Sequence, residues 1–214
     1  MKIYVVGSTN NNFLPLNSIR EKFLIDLPHD GDNIDNLNPW LCEMTGLYYL
    51  WKHEPDDIIG LEHYRRYFTN KRGHILSEEE IVSLLSRNDI IVVKAPYTME
   101  RPCKTWLINN DKWNDMLKFL MFMSVAVGDD YTNHCINHLN GDYHCLGNMF
   151  ISTKVLISQY CSFIFPLVLR YMACELHYGR SLPPRICGYF TEFLFGAWLE
   201  YTGKKMTFSK WRKL

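Results

Sequence analysis

The sequence has no Cys-x-x-Cys pair, no excess of charge of either sign, no low-complexity stretch and no internal repeat. Each absence excludes a class of protein. Lys plus Arg equals Asp plus Glu, at 23 each. A balanced chain lacks the basic face that general nucleic-acid binding requires, and leaves only local clusters such as Arg65–Arg66. The seven cysteines are odd in number, and several lie within apolar runs, where a free thiol behaves as a small buried hydrophobe. That usage predicts a reducing compartment. The first residues, MKIYVVGSTNNN, hold too short an apolar core for a signal peptide. The longest apolar run, FIFPLVL at 163–169, stops at Arg170, far short of the roughly 20 residues that cross a bilayer. The expected location is the cytoplasm, with peripheral association with a membrane left open.

What is present is a large apolar fraction, 47%, with 21% charged residues, enough for a full core in 214 residues. The β-branched run KIYVV (2–6) ends at Gly7 and a polar loop, the usual start of a nucleotide-binding α/β layer. Asn38 followed by Pro39 predicts an N-cap and first helical position. The helix then runs to His53, with Trp40, Leu41, Met44, Leu47, Tyr48 and Trp51 facing the core. Strands are expected at 58–61, 89–96 and 148–152, and helices at 77–88, 112–127, 153–176 and 183–203, with 97–112 irregular. Strands alternating with helices predict an α/β fold whose last third is largely helical. One domain, 1–214, is expected, divided into halves 1–96 and 97–214.

The most unusual stretch is IIGLEHYRRYF, 58–68. An apolar strand there ends on Glu62, His63, Tyr64, Arg65 and Arg66 together. If 62–66 stays extended, alternation puts His63 with Arg65 on one side and Glu62 with Arg66 on the other. One arginine would then serve a ligand and the other the fold, and pairing with Glu62 or Asp57 is the purely structural alternative. A rival cluster is HCINHLNGDYHC, 134–145, where His134 and His138 are four apart on one helical face. The spacing suits zinc, but the metalloprotease glutamate is absent, and partly exposed histidines beside a groove are the expectation. Trp106, Trp113, Tyr131 and Tyr143 are candidates for stacking on sugar rings, with core filling preferred for Trp113.

The segments CEMTGLYYLWKH, IGLEHYRRYF, GNMFIS and RICGYFTEFLFGAWL, in this order, resemble a family of bacterial capsular and exopolysaccharide glycosyltransferases, formerly a domain of unknown function. Its mark is Asn-x-x-x-Cys-Glu-x-Thr-x-x-Tyr followed by His-Tyr-Arg-Arg-Tyr-Phe, and the likeness covers nearly the whole chain. The resemblance implies a GT-A-like fold with a mixed, mainly parallel central sheet. It implies transfer of a hexose, galactose or galactofuranose in some relatives, from a nucleotide diphosphate sugar to a glycan or lipid-linked glycan acceptor. The N-terminal half would bind the nucleotide sugar, and the helix-rich half would face the acceptor. Relatives carry Thr-His-Lys after the first strand where this chain has Ser8-Thr9-Asn10. That departure raises a second reading, a non-catalytic carbohydrate- or partner-binding protein on the same scaffold.

Many such enzymes hold Mg²⁺ or Mn²⁺ with an Asp-x-Asp after a core strand. After 58–61 this chain has Glu-His-Tyr-Arg-Arg instead, and Asp56 and Asp57 are adjacent. The expectation is therefore a UDP-hexose held without a required metal, Mg²⁺ or Mn²⁺ remaining the alternative. Arg65 and Arg66 would bind the diphosphate, joined by Tyr64, Thr9, Asn38 and Asn148 as donor or sugar contacts. His63 would add an imidazolium or protonate the leaving group. Glu192, in the family's Gly-x-x-x-Glu element, or Asp142 would take the acceptor proton of an inverting transfer. Glu43 is expected to be a buried carboxylate bonded to a loop. No nucleic-acid partner is expected.

Overall fold

The computed structural model describes residues 1–94, 103–141 and 145–213. Its strands are β1 (Lys2–Gly7), β2 (Arg20–Leu24), β3 (Ile58–His63), β4 (Arg66–Thr69), β5 (Ile90–Lys94), β6 (Cys145–Thr153) and β7 (Met206–Lys213). Its helices are α1 (Asn38–Leu41), α2 (Met44–His53), α3 (Glu78–Leu85), α4 (Cys103–Asn109), α5 (Trp113–Val127), α6 (Asp129–Leu139), α7 (Lys154–His177) and α8 (Ile186–Tyr201). The α/β expectation holds, and the chain after residue 100 is mostly helical.

β1 lies between β2 and β3, parallel to both. The other side of β3 is shared by two strands. Residues Ile58–Leu61 pair antiparallel with Thr153–Phe150 of β6, and His63 pairs with Arg66 of β4. β4 pairs antiparallel with β7, β7 runs parallel to β5, and β5 pairs antiparallel with β6. The hydrogen-bonded neighbours β3, β6, β5, β7 and β4 thus close a ring, with β1 and β2 as a parallel wing. The sheet is mixed rather than mainly parallel, because the hairpin after β3 and the return of β6 and β7 add antiparallel pairings.

Alternation along the strands sorts side chains onto two faces. Tyr4, Val6, Ile90 and Val92 join the larger core beneath α2, α5, α7 and α8. Ile3, Ile91 and Val93 join a smaller core with Ile81 of α3. Gly60 sits where β1 and β6 close on β3 from both sides. A Cβ there would lie 3.0 Å from Ile151 Cγ1 and 3.1 Å from Ile3 Cγ1. Ser77 caps α3 in a capping box with Glu80. α7 is long and apolar enough to cross a membrane, more than the run 163–169 alone conveys, yet Ile157, Tyr160, Cys161, Ile164 and Phe165 on it belong to the core.

Four local expectations change. The helix expected to run unbroken to His53 is interrupted at Cys42, which adopts φ 52° and starts a new helix, α2, after Glu43. Asn38 is the first residue of α1 with helical dihedrals, and it makes no capping bond. The stretch expected to be irregular contains α4. β2, β4 and β7 are strands that the hydrophobic pattern does not announce, since charged residues interrupt them, Glu21 and Lys22 in β2, Arg66 in β4 and Lys210 in β7.

Candidate functional site

β6 leaves β3 after the Leu61–Phe150 pair, and β4 takes its place only at His63. Gly147 and Asn148 turn the departing strand with left-handed dihedrals, φ 68° and 52°. The register between β5 and β6 slips at the same place, between Val92 and Lys94. The divergence opens a cavity of about 310 Å³. Its polar wall is Glu43, His63, Arg65, Arg66, Arg185 and Glu192; its aromatic wall is Trp106, Tyr189 and Phe193. The cavity lies at the carboxyl ends of the parallel strands β1 and β3, where open α/β sheets bind ligands.

The 62–66 segment is not extended. Tyr64 and Arg65 form a two-residue turn between paired His63 and Arg66. Alternation therefore breaks, and both arginines and His63 line one cavity. Glu62 points elsewhere. It forms a buried two-point ion pair with Arg20, 2.8 and 3.0 Å, and accepts the Phe68 backbone N–H. The bracing carboxylate is thus paired with an arginine from β2. Among the described residues, no carboxylate lies within ion-pair distance of Arg65, Arg66 or Arg185. The Nε groups of Arg65 and Arg66 are buried without a hydrogen-bond partner. Arg185 adopts φ 63° at the start of α8, packs over the Tyr189 ring and gives its backbone N–H to Pro39 O at 2.8 Å. Arg185 lines the cavity with positive φ, and Cys42 and Asn148, also with positive φ, each precede or follow a lining residue, Glu43 and Gly147; such strain is commonly held at functional sites.

The two carboxylates are held differently. Glu192 Oε1 accepts the Gly147 N–H at 2.8 Å, and Glu43 Oε1 accepts from Asn148 Nδ2 at 3.2 Å. Burial, reinforced by the neighbouring Glu43, pushes Glu192 up to about 7, against the pull of Gly147 N–H, Arg66 and Arg185. Burial also raises Glu43, against its own N–H, Asn148 and the two arginines. His63 behaves in the opposite sense to the imidazolium expected for it. Burial, then Arg66, Arg65 and Arg185, lower it to about 3, so the ring is neutral at physiological pH. Its Nδ1 is buried and unpartnered.

Other expected contacts fall outside the cavity. Thr9 gives both its N–H and its hydroxyl to Asp26, which ties the loop after β1 to the end of β2. Tyr64 lies under the Arg65 guanidinium and beside Phe13, off the cavity wall. Asn38 is likewise absent from the wall; its Oδ1 is buried without a partner. Asn148 gives its Nδ2 to Glu43, Thr191 and Gly188, and its Oδ1 is buried without a hydrogen-bond partner. Asp142, Tyr143 and His144 lie outside the described residues. Trp113 and Tyr131 pack with the core as fillers, whereas Trp106 packs with Tyr189 and Phe193 on the cavity wall.

His138 is buried and bonds Glu200 at 2.8 Å, with His134 at 3.7 Å from the same carboxylate, so the pair braces α6 against α8 instead of fringing a groove. Among the described residues no cluster of His, Cys, Asp and Glu is arranged to hold a metal ion. The one Asp-x-Asp in the loop after β2, Asp30-Gly31-Asp32, is off the cavity, with Asp32 bonded to the Tyr48 hydroxyl. Sequence reasoning did not assign Arg185 or Tyr189 to the site. The first could have been found from a lone arginine after two prolines at a helix start.

Fold and cavity together define a mixed α/β domain with a cationic, carboxylate-bearing site at the edge of its sheet. The chain belongs to the family described as a domain of unknown function (DUF4422), whose model matches residues 4–204. Its fold is similar to that of a solved structure, the WbbM bifunctional glycosyltransferase in its apo form, with a TM-score of 0.77 and 20% identity. That likeness covers 100% of this chain and 45% of the other, so the chain spans less than half of that protein. No curated protein matches the chain in sequence.

Proposed function

We propose that the chain is a metal-independent glycosyltransferase that moves a hexose, galactose or galactofuranose, from UDP-hexose to a glycan or lipid-linked glycan acceptor. The observation that carries this reading is the set of guanidinium groups in one cavity with buried Nε atoms left unpartnered. Leaving such groups unpaired is costly, and a diphosphate supplies the missing acceptors. Three fixed cations beside the departing diphosphate would do the electrostatic work that a divalent ion does elsewhere.

In this reading the acceptor oxygen attacks the anomeric carbon. The bond from that carbon to the phosphate oxygen breaks, and the nucleotide diphosphate leaves with the electron pair. The acceptor proton passes to Glu192, whose environment makes it a stronger base than an exposed glutamate. A single displacement of this kind inverts the anomeric configuration. Trp106 and Tyr189 supply an aromatic wall for a sugar ring. His63, being neutral, orients and hydrogen-bonds and does not deliver a proton.

The test is turnover. The protein is incubated with UDP-galactose and UDP-galactofuranose and with oligosaccharide acceptors, in chelator, and the products are weighed by mass spectrometry. A hexose-extended acceptor with wild type and none with Glu192→Gln is the expected result. UDP binding without transfer to any acceptor, together with binding of free glycans, favours the non-catalytic carbohydrate-binding alternative.

A further inference from the structure

A second cavity, of about 590 Å³, shares no residue with the first. It opens between α3, the turn after β4 and β7, and its volume is that of a small-molecule site. Leu76, Leu84 and Phe208 give it an apolar lining, and Phe208 is 46% exposed. Its charged residues are Glu79, Glu80, Lys71 and Lys210. The acids are occupied at the start of α3. Glu80 accepts the Ser77 N–H and the Asn70 amide, each at 3.0 Å, and Glu79 accepts the Ser77 hydroxyl at 2.7 Å. The lysines are exposed, and among the described residues neither ammonium has a hydrogen-bond or ion-pair partner. They stand close along neighbouring segments, since Lys210 of β7 pairs with Thr69, two residues before Lys71.

We propose that this cavity binds a long-chain alkyl phosphate, with the phosphate on Lys71 and Lys210 and the first carbons of the chain against Leu76, Leu84 and Phe208. The charge left unpaired at the cavity is positive, so the complementary ligand is an anion. Lysine binds phosphate as a point charge, and two ammonium groups suit a dianion better than the single charge of a carboxylate. Both lysines are exposed, so water and salt screen them and the head group alone binds weakly. The apolar lining supplies the rest, each buried methylene adding about fourfold in affinity. The β4–β7 ribbon joins the two cavities. Thr69 lies opposite Lys210 beside the second, and Arg66 of the first lies opposite Lys213, three residues further on, a span of about 10 Å. The use of the site rests on the glycosyltransferase reading, in which it would seat the phosphate end of a lipid-linked acceptor; its test does not.

The probe is dodecyl phosphate below its micellar concentration, titrated calorimetrically into the whole protein, with dodecanoate, dodecyl maltoside and inorganic phosphate for comparison. Saturable binding of one dodecyl phosphate per chain is expected, severalfold tighter than dodecanoate and about tenfold or more tighter than the maltoside or phosphate alone. A Lys71→Gln/Lys210→Gln protein should bind it about fivefold more weakly or worse. Ser83→Trp, at an exposed position of α3 that lines the cavity, should abolish binding with the circular dichroism spectrum unchanged. An Arg65→Ala/Arg66→Ala protein should bind the alkyl phosphate as wild type does. The inference is overturned by an absence of saturable binding, by equal affinity for dodecanoate or the maltoside, or by undiminished binding in the double lysine variant. Loss of binding in the arginine variant also overturns it, because the phosphate would then sit in the first cavity. Failure of UDP binding or of hexose transfer leaves these titrations untouched, so the two readings fail separately.

Discussion

Glu62 and Arg20 form a two-point ion pair at 2.8 and 3.0 Å with both side chains buried, and it takes the carboxylate nearest in sequence away from Arg65 and Arg66. The pair also supports the turn that follows, since Glu62 accepts the Phe68 N–H and Arg20 donates to the Leu76 carbonyl. Removing one partner leaves a buried charge without compensation. Arg20→Ala is expected to lower stability by about 3–5 kcal/mol in denaturant unfolding. Replacing both partners by apolar residues should cost less than either single change.

The turn itself decides the second expectation. Because Tyr64 and Arg65 reverse the chain, Arg65 and Arg66 both reach the cavity. Each alanine variant should weaken nucleoside diphosphate binding by about 1.5–3 kcal/mol, the range for a hydrogen bond to a charged group. Lysine at position 66 should recover part of that, since it restores charge but not a two-point contact. Calorimetric titration with UDP checks both.

The pH dependence has two opposed parts. Glu192 is raised to about 7 from an ordinary value of 4.5, so the folded protein binds its proton more tightly than the unfolded chain. Stability from this group is fully present below about 4.5 and is lost as pH rises through about 7. Glu192→Gln should therefore raise the melting temperature at pH 8 and leave it nearly unchanged at pH 4. His63 is lowered from 6.5 to about 3, so its contribution is present above 6.5 and is lost as pH falls toward 3. His63→Asn should reduce acid lability in that window. Melting curves of the three proteins across pH separate the terms.

Gly196 of α8 faces His138 of α6. A Cβ there would lie 2.8 Å from His138 Cε1 and 3.0 Å from Nε2. The histidine is buried and bonded to Glu200, so it has little room to give. Gly196→Ala should destabilise by about 1–3 kcal/mol through overpacking, read by denaturant midpoint.

Much of this was legible in the sequence where one physical rule acted alone. The β-branched run at 2–6, the described part of the strand expected over 89–96 and the capped helix after Ser77 fall where expected. The rules failed where tertiary contact overrode local pattern. Alternation across 62–66 assigned the arginines to opposite sides because nothing local marks Tyr64–Arg65 as a turn lacking Gly, Asn or Asp. Cys42 breaks a helix whose periodicity runs straight through it, in a segment that Arg185, more than a hundred residues away, holds through its N–H to Pro39 O. Asn148 carries the polarity of a ligand contact, and only the three-dimensional neighbours show its amide turned to Glu43. For the site as a whole, the arginine pair and Glu192 could be picked from the sequence, but Arg185, Tyr189 and the support of Glu43 depend on how α1 and α8 meet β6.

The most direct measurement is UDP affinity in the presence of excess chelator, for wild type, Arg65→Ala and Arg66→Ala, each shown to be folded by circular dichroism. Binding by wild type without metal, weakened about tenfold or more in both variants, is what fixed cations holding a diphosphate require. Equal affinity in all three proteins, or binding that appears only when Mn²⁺ is restored, would contradict it.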